Sequence, residues 1–178
     1  MQTSTAIPRA LSNNVILIAG GAVVIAVLSQ ARISLGFTPV PITGQSLGVI
    51  LCGLFLGSRR GTLAVLTYLT AGALGAPVFA GFSSLPALWG PTSGYLIGFI
   101  PAAYIAGFLR ETGWVKGFVS GTAVSLIASV PIFIIGTSVL AAFVGFENIM
   151  MMGVIPFVIG DVIKSFIVGV SARVFVRK

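Results

Sequence analysis

Asp161 and Lys164 stand inside an apolar run, Pro156-Phe157-Val158-Ile159-Gly160-Asp161-Val162-Ile163-Lys164-Ser165. A charge at bilayer depth costs roughly 3 kcal/mol on insertion scales, so it persists where it is paired, hydrated or used. The i, i+3 spacing puts both groups on one helical face, with Ser165 one turn beyond Asp161, and lets the two charges partly neutralise each other. An aspartate accepts N–H donors and a lysine donates to a carbonyl or carboxylate, so the notch can hold a small polar group in an apolar setting. The plain alternative is an internal ion pair that only fixes helix packing, since a buried pair is weak evidence for stability.

Other chemistries are excluded by what the chain lacks. It has no histidine, one cysteine (Cys52, in an apolar run) and three acidic residues: Glu111, Glu147 and Asp161. Without histidine there is no Ser-His-Asp or Cys-His arrangement and no HExxH zinc motif, and no metal site is expected. With Asp161 alone in a core segment, a paired-carboxylate mechanism has no second member in the membrane, and the chain reads as no enzyme. It carries no phosphate-cradling motif and no cofactor is expected, so energy from ATP has to come through partners.

The elements that position the notch are membrane helices. The chain has 178 residues, 57% hydrophobic and 7% charged, with mean hydropathy +1.13. Soluble domains carry about 25% charged residues, so this composition describes an all-α integral membrane protein with one transmembrane domain over residues 1–178 and no soluble module. The net charge of +7 comes from ten basic residues scattered at helix ends, which argues against a nucleic-acid surface.

Six helices are expected, at about 14–31, 45–57, 62–74, 94–110, 117–144 and 149–176, after a polar tail of residues 1–13. The first run ends in Ser29-Gln30-Ala31, which satisfies the small-x-small rule for signal-peptide cleavage, but it is longer than a usual signal core and reads as retained. Its small residues Ala22 and Ala26 form a face that another helix could approach closely, within the chain or in a partner. Ser58-Arg59-Arg60-Gly61 reads as a tight basic turn, and the helices flanking it are short for a span of about 20 residues. Pro131 predicts a bend in the fifth helix.

Two loops are rich in proline and glycine. Residues 32–44 have no helical period, and residues 75–94 carry three prolines, no charge and the aromatics Phe79, Phe82 and Trp89. An apolar but non-helical segment avoids lipid, because unpaired backbone is tolerated at depth only against protein or a cavity. It reads as a lid or re-entrant loop, the alternative being an interfacial aromatic belt. Gln45, Thr43, Ser83, Ser84, Thr92, Ser93 and Tyr95 are secondary polar candidates, although a lone serine or threonine more commonly bonds its own backbone.

Six helices put both termini on one side. With that side cytoplasmic, it holds Arg9, Arg59, Arg60, Arg110, Lys116, Arg173, Arg177 and Lys178, against Arg32 outside and Lys164 within the membrane. This bias obeys the positive-inside rule and sets the long loops outside, in a cell (inner or cytoplasmic) membrane. The loop motifs do not recur, so an inverted repeat lacks support.

Five segments then carry a resemblance: Pro39-Val40-Pro41-Ile42-Thr43-Gly44-Gln45, Leu56-Gly57-Ser58-Arg59-Arg60-Gly61, Gly75-Ala76-Pro77-Val78-Phe79-Ala80-Gly81, Gly90-Pro91-Thr92-Ser93-Gly94-Tyr95 and Gly160-Asp161-Val162-Ile163-Lys164. In order and spacing they resemble the BioY family, the biotin-specific S components of energy-coupling-factor (ECF) transporters. The resemblance implies a six-helix S-component fold and capture of biotin from outside. It also implies transport with a transmembrane coupling subunit and two cytosolic ATPases, some members working without them. Biotin's ureido ring offers two N–H donors and a carbonyl, which suit Asp161 and Lys164. Its apolar part suits Phe79, Phe82, Trp89 and Tyr95. Its carboxylate would fall to Lys164, Arg32 or loop hydroxyls and amides, and the sequence leaves that choice open. Ala22 and Ala26 resemble the small-residue patch that S components turn to the coupling subunit. Two other readings stay open: an S component for another vitamin, and an ion-coupled secondary carrier in which Asp161 takes up a proton.

Overall fold

The computed structural model describes residues 9–176, with the side chains of residues 13–173. The expected polar tail as far as residue 8, and Arg177 and Lys178, lie outside the described residues, as does the side chain of Arg9.

Five α-helices are described: α1 (Arg9–Gln30), α2 (Gln45–Ala73), α3 (Ser93–Glu111), α4 (Phe118–Val144) and α5 (Ile155–Val176). α1 begins five residues before the expected start, because residues 9–13 continue the helix. The expectation of a purely α chain needs one correction. Residues 32–44 contain a two-stranded antiparallel ladder, β1 (Arg32–Ile33) with β2 (Ile42–Thr43), which satisfies backbone groups that a proline-bearing loop could not pair helically. Leu85–Leu88 forms a short 3-10 turn in the second loop, and a π-helical turn over Met150–Val154 leads into α5.

The helices expected at 45–57 and 62–74 are one assigned element, α2, broken at Gly57 (φ 86°, ψ 174°). The break is a reversal. Gln45 Nε2 lies 2.6 Å from Tyr68 Oη, whereas 23 residues of straight helix at 1.5 Å each would hold them about 35 Å apart. A Cβ on Gly61 would come within 2.7 Å of Gly53 Cα, so the two arms touch backbone to backbone next to the bend. The tight turn is therefore Gly57, and the basic residues Arg59 and Arg60 already belong to the second arm. That arm begins at Ser58, whose amide and hydroxyl both donate to the carboxylate of Glu111, at 2.8 and 2.7 Å.

The helices pack in chain order, α1 on α2, α2 on α3, α3 on α4 and α4 on α5. α3 approaches α4 at Gly98, where an added Cβ would meet Ile132 Cα at 2.7 Å; α4 stays continuously helical through Pro131. Among the described residues, Asn13–Gln30, Phe118–Val144 and Met150–Arg173 are long and apolar enough to cross a membrane, and Gln45–Ala73 is so only as the sum of its two arms. Their outer faces are aliphatic. On α1, Val15, Ile16, Val23, Val24 and Val27 are exposed, and on α5, Val158, Ile159, Val162, Ile163 and Val170. This surface is what a bilayer covers.

Ala22 and Ala26 turn inward. Ala22 is buried in the core with Ile25 and Val49, and Ala26 packs against that core. The close approach their size permits is thus used inside the chain, and the expected partner-facing patch is not on the outer face of α1.

Candidate functional site

A cavity of about 430 Å³ opens among the start of α2, the start of α3, the middle of α4, the first half of α5 and both loops. Its size is ordinary for a small-molecule site. Because α5 is regular across residues 155–176, Asp161, Lys164 and Ser165 fall on its inward stripe with Val168 and Ala172, opposite the aliphatic outer face. Asp161 and Lys164 both line the cavity, away from lipid.

The two charges are held by different helices. Ser129 Oγ of α4 donates to Asp161 Oδ1 at 3.0 Å, and Lys164 Nζ donates to Ser46 Oγ of α2 at 2.9 Å. Beneath them Ser165 Oγ donates to Ser125 Oγ at 3.0 Å, and Ser125 and Ser165 are wholly buried. No ion pair within 4.0 Å joins Asp161 to Lys164, so the packing-only pair considered above does not form. A carboxylate can accept about four hydrogen bonds and an ammonium can donate three, so each group keeps capacity for a ligand.

Gln45 and Thr43 line the cavity as a bonded pair. Thr43 Oγ1 donates to Gln45 Oε1 at 2.9 Å while Gln45 Nε2 donates to Tyr68. Tyr95 contributes its ring, because its hydroxyl donates to the carbonyl of Gly153 in the π-helical turn at 2.9 Å. Phe157 lies against that ring at 5.8 Å. Phe79 also lines the cavity, but its body is buried edge-on against Tyr68, at 5.2 Å, over Gly72. Ser83 and Thr92 reach the lining, whereas Ser84 and Ser93 do not. Ser93 Oγ instead donates to the carbonyl of Gly90.

Two expected aromatics are not in the lining. Phe82 is 71% exposed and Trp89 79% exposed. The turn that pairs Phe79 with Ser83 gives Phe82 a positive φ of 58° and directs its side chain outward, and Trp89 closes the 3-10 turn on the outer surface. The apolar walls come instead from Leu96, Phe99, Ile132, Phe133 and Phe157, which the sequence reading did not single out. Nor did it single out Ser46 and Ser129. The available signal was the i, i+4 pair Ser125 and Ser129 in the strongly apolar α4.

Arg32 is the cation of the two long loops and lines the cavity. A Cβ on Gly81 would run into its guanidinium, so glycine at that position lets Arg32 lie across the loop 75–92. The loop is stitched to the end of α1. Ser29 Oγ donates to the carbonyl of Val78 at 2.7 Å, Gln30 Nε2 to that of Phe79 at 3.1 Å, and the Phe82 amide to Gln30 Oε1 at 3.1 Å.

Helices with an aliphatic outer belt around an amphipathic chamber define a multi-pass membrane protein with an intramembrane small-molecule site. Over residues 1–178 the chain matches the model of the BioY family, and it belongs to that family. It is similar to a probable biotin transporter BioY of Pyrococcus horikoshii, with 45% identity covering 76% of this chain and 80% of that one. To the biotin transporter BioY of Rhizobium etli the identity is 38%, over 85% of this chain and 86% of the other. Among solved structures it resembles the S-component for biotin from an ECF-type ABC transporter, with a TM-score of 0.80 and 25% identity over 98% of this chain and 96% of that one.

Proposed function

We propose that the chain is a biotin-binding subunit of an ECF-type uptake system, not an enzyme. The observation that carries this reading is the cavity floor, where a carboxylate and an ammonium held by separate helices each keep unused hydrogen-bonding capacity. The names of the family's relatives and of the solved structural neighbour support biotin as the ligand.

Asp161 accepts from the ureido N–H groups and Lys164 donates to the ureido carbonyl. The thioether ring and valeryl chain lie among Tyr95, Phe99, Ile132, Phe133 and Phe157, with Gln45 and Thr43 closing one side. With Lys164 engaged at the floor, Arg32 meets the carboxylate. Taking the arms of α2 separately, the chain crosses the membrane six times with both termini in the cytoplasm, because the basic residues of the Gly57, Glu111 and C-terminal ends then lie inside. The cavity faces outward. Energy comes from a transmembrane coupling subunit and two cytosolic ATPases, since the chain has no phosphate cradle of its own.

Isothermal titration of the purified protein tests this. Biotin binds, while riboflavin and thiamine give no heat. Asp161→Asn and Lys164→Ala each weaken biotin at least about tenfold, the scale of one charge-assisted hydrogen bond. Wild-type affinity in both variants, or no biotin binding at all, overturns the assignment.

A further inference from the structure

At the end of the bundle opposite the cavity, a groove of about 540 Å³ runs between the start of α1, the bend of α2 and the end of α3. We propose that it is a binding site for the phosphate headgroup of an anionic phospholipid, with the lipid's acyl chain along the groove's apolar wall.

Arg59, Arg60 and Arg110 line the groove against a single carboxylate, Glu111, which leaves a net charge of two. Glu111 accepts from the amide and hydroxyl of Ser58, and its single charge still leaves the arginines in excess. The side chains of Arg59, Arg60 and Asn14 donate to no other group among the described residues. Guanidinium groups match phosphate in a bidentate fork, and basic pockets between membrane helices on the cytoplasmic side are suited to anionic headgroups.

A free phosphate would need only this polar half. The groove also has Ile18, Leu56 and Leu63, and Leu63 is exposed. That side adjoins the aliphatic surface of α1 and α2, where Val15, Ile16 and Leu66 are exposed. Positive charge at one end and membrane-facing aliphatic surface at the other are complementary to a lipid, whose phosphate and chain are joined in that order. The Gly57 reversal makes the arrangement possible. It presents Arg59 and Arg60 from the first turn of the second arm toward α1 and α3.

Native mass spectrometry of the purified, delipidated full chain tests the proposal with phosphatidylglycerol, phosphatidylcholine and inorganic phosphate as separate probes. Phosphatidylglycerol adducts survive in preference to phosphatidylcholine. Arg59→Gln/Arg60→Gln loses them, each arginine being worth about fivefold, and Arg59→Lys/Arg60→Lys recovers part of the loss. Lys116→Gln removes one charge outside the groove, as Arg60→Gln alone does inside it, and leaves the adducts intact. Gel filtration and the thermal unfolding midpoint report whether the variants are folded, and Arg60→Gln alone serves if the double variant is not. Three outcomes overturn the proposal: equal retention of both lipids, adducts unaffected by the glutamine variants, or phosphate bound as tightly as the lipid.

Discussion

Ser129 does for Asp161 what Ser46 does for Lys164: it satisfies one bond of a charge that must leave water, and only one. Removing a charge's sole protein partner leaves it underbonded and free to turn, which costs about 1 kcal/mol or more. Ser129→Ala is expected to weaken biotin binding by roughly three- to tenfold while moving the thermal midpoint little, as read by titration and a melting curve. The charges themselves were legible in the sequence because an aspartate and a lysine are anomalous in an apolar run. Their serine partners were not, because a helical serine ordinarily bonds its own preceding turn, and the carbonyl of Ser125, also 3.0 Å from Ser129 Oγ, competes with Asp161 for its single hydrogen. The lid aromatics were misassigned for a different reason. Residue type says that Phe82 and Trp89 prefer apolar surroundings, but a positive φ turns Phe82 outward and the end of the 3-10 turn leaves Trp89 on the surface, and residue type carries neither geometry.

The element on which the architecture turns is α2. Gly57 has backbone angles in a region essentially reserved for glycine, and a Cβ there would also collide with the carboxylate of Glu111. Gly57→Ala is expected to destabilise the protein by about 1 to 3 kcal/mol, measured by thermal unfolding in detergent. Glu111 is the last residue of α3, and its two bonds from Ser58 hold its carboxyl below the usual value of 4.5. A depressed carboxylate lends stability that is present above its unfolded value and is lost as pH falls through 4.5 toward the folded value. Between pH 7 and pH 4 the midpoint of the wild type therefore falls more than that of Glu111→Gln, which starts lower. From sequence, the shortness of the segments either side of the basic residues and the need for a turn there were visible. The position of the turn was not, because the reversal takes only one glycine and the arginines continue the helix.

At the scale of the whole molecule, chain order and charge together set the two ends apart. The cavity lies at the end reached by Gln30, Gln45 and Ser93, the basic groove at the end reached by Gly57 and Glu111. An impermeant maleimide added to intact cells is expected to label Trp89→Cys and to leave Lys116→Cys unlabelled until the membrane is opened. Both are built on Cys52→Ser, which removes the buried native thiol. Labelling of Lys116→Cys from outside would invert the orientation. The expectation of this orientation rests on the distribution of lysine and arginine, because charge bias is a property of the connections and needs no side-chain geometry, and the labelling is its test.

One further consequence follows from the bonds that Ser29 and Gln30 make to Val78, Phe79 and Phe82. Those contacts are 2.7 to 3.1 Å long, and a hydrogen bond stretched by an ångström is effectively gone. The first helix is therefore a drawbar for the cover of the binding chamber. Any force that slides it along its axis must either drag residues 78–82 with it or snap the coupling, and in both cases the doorway changes shape.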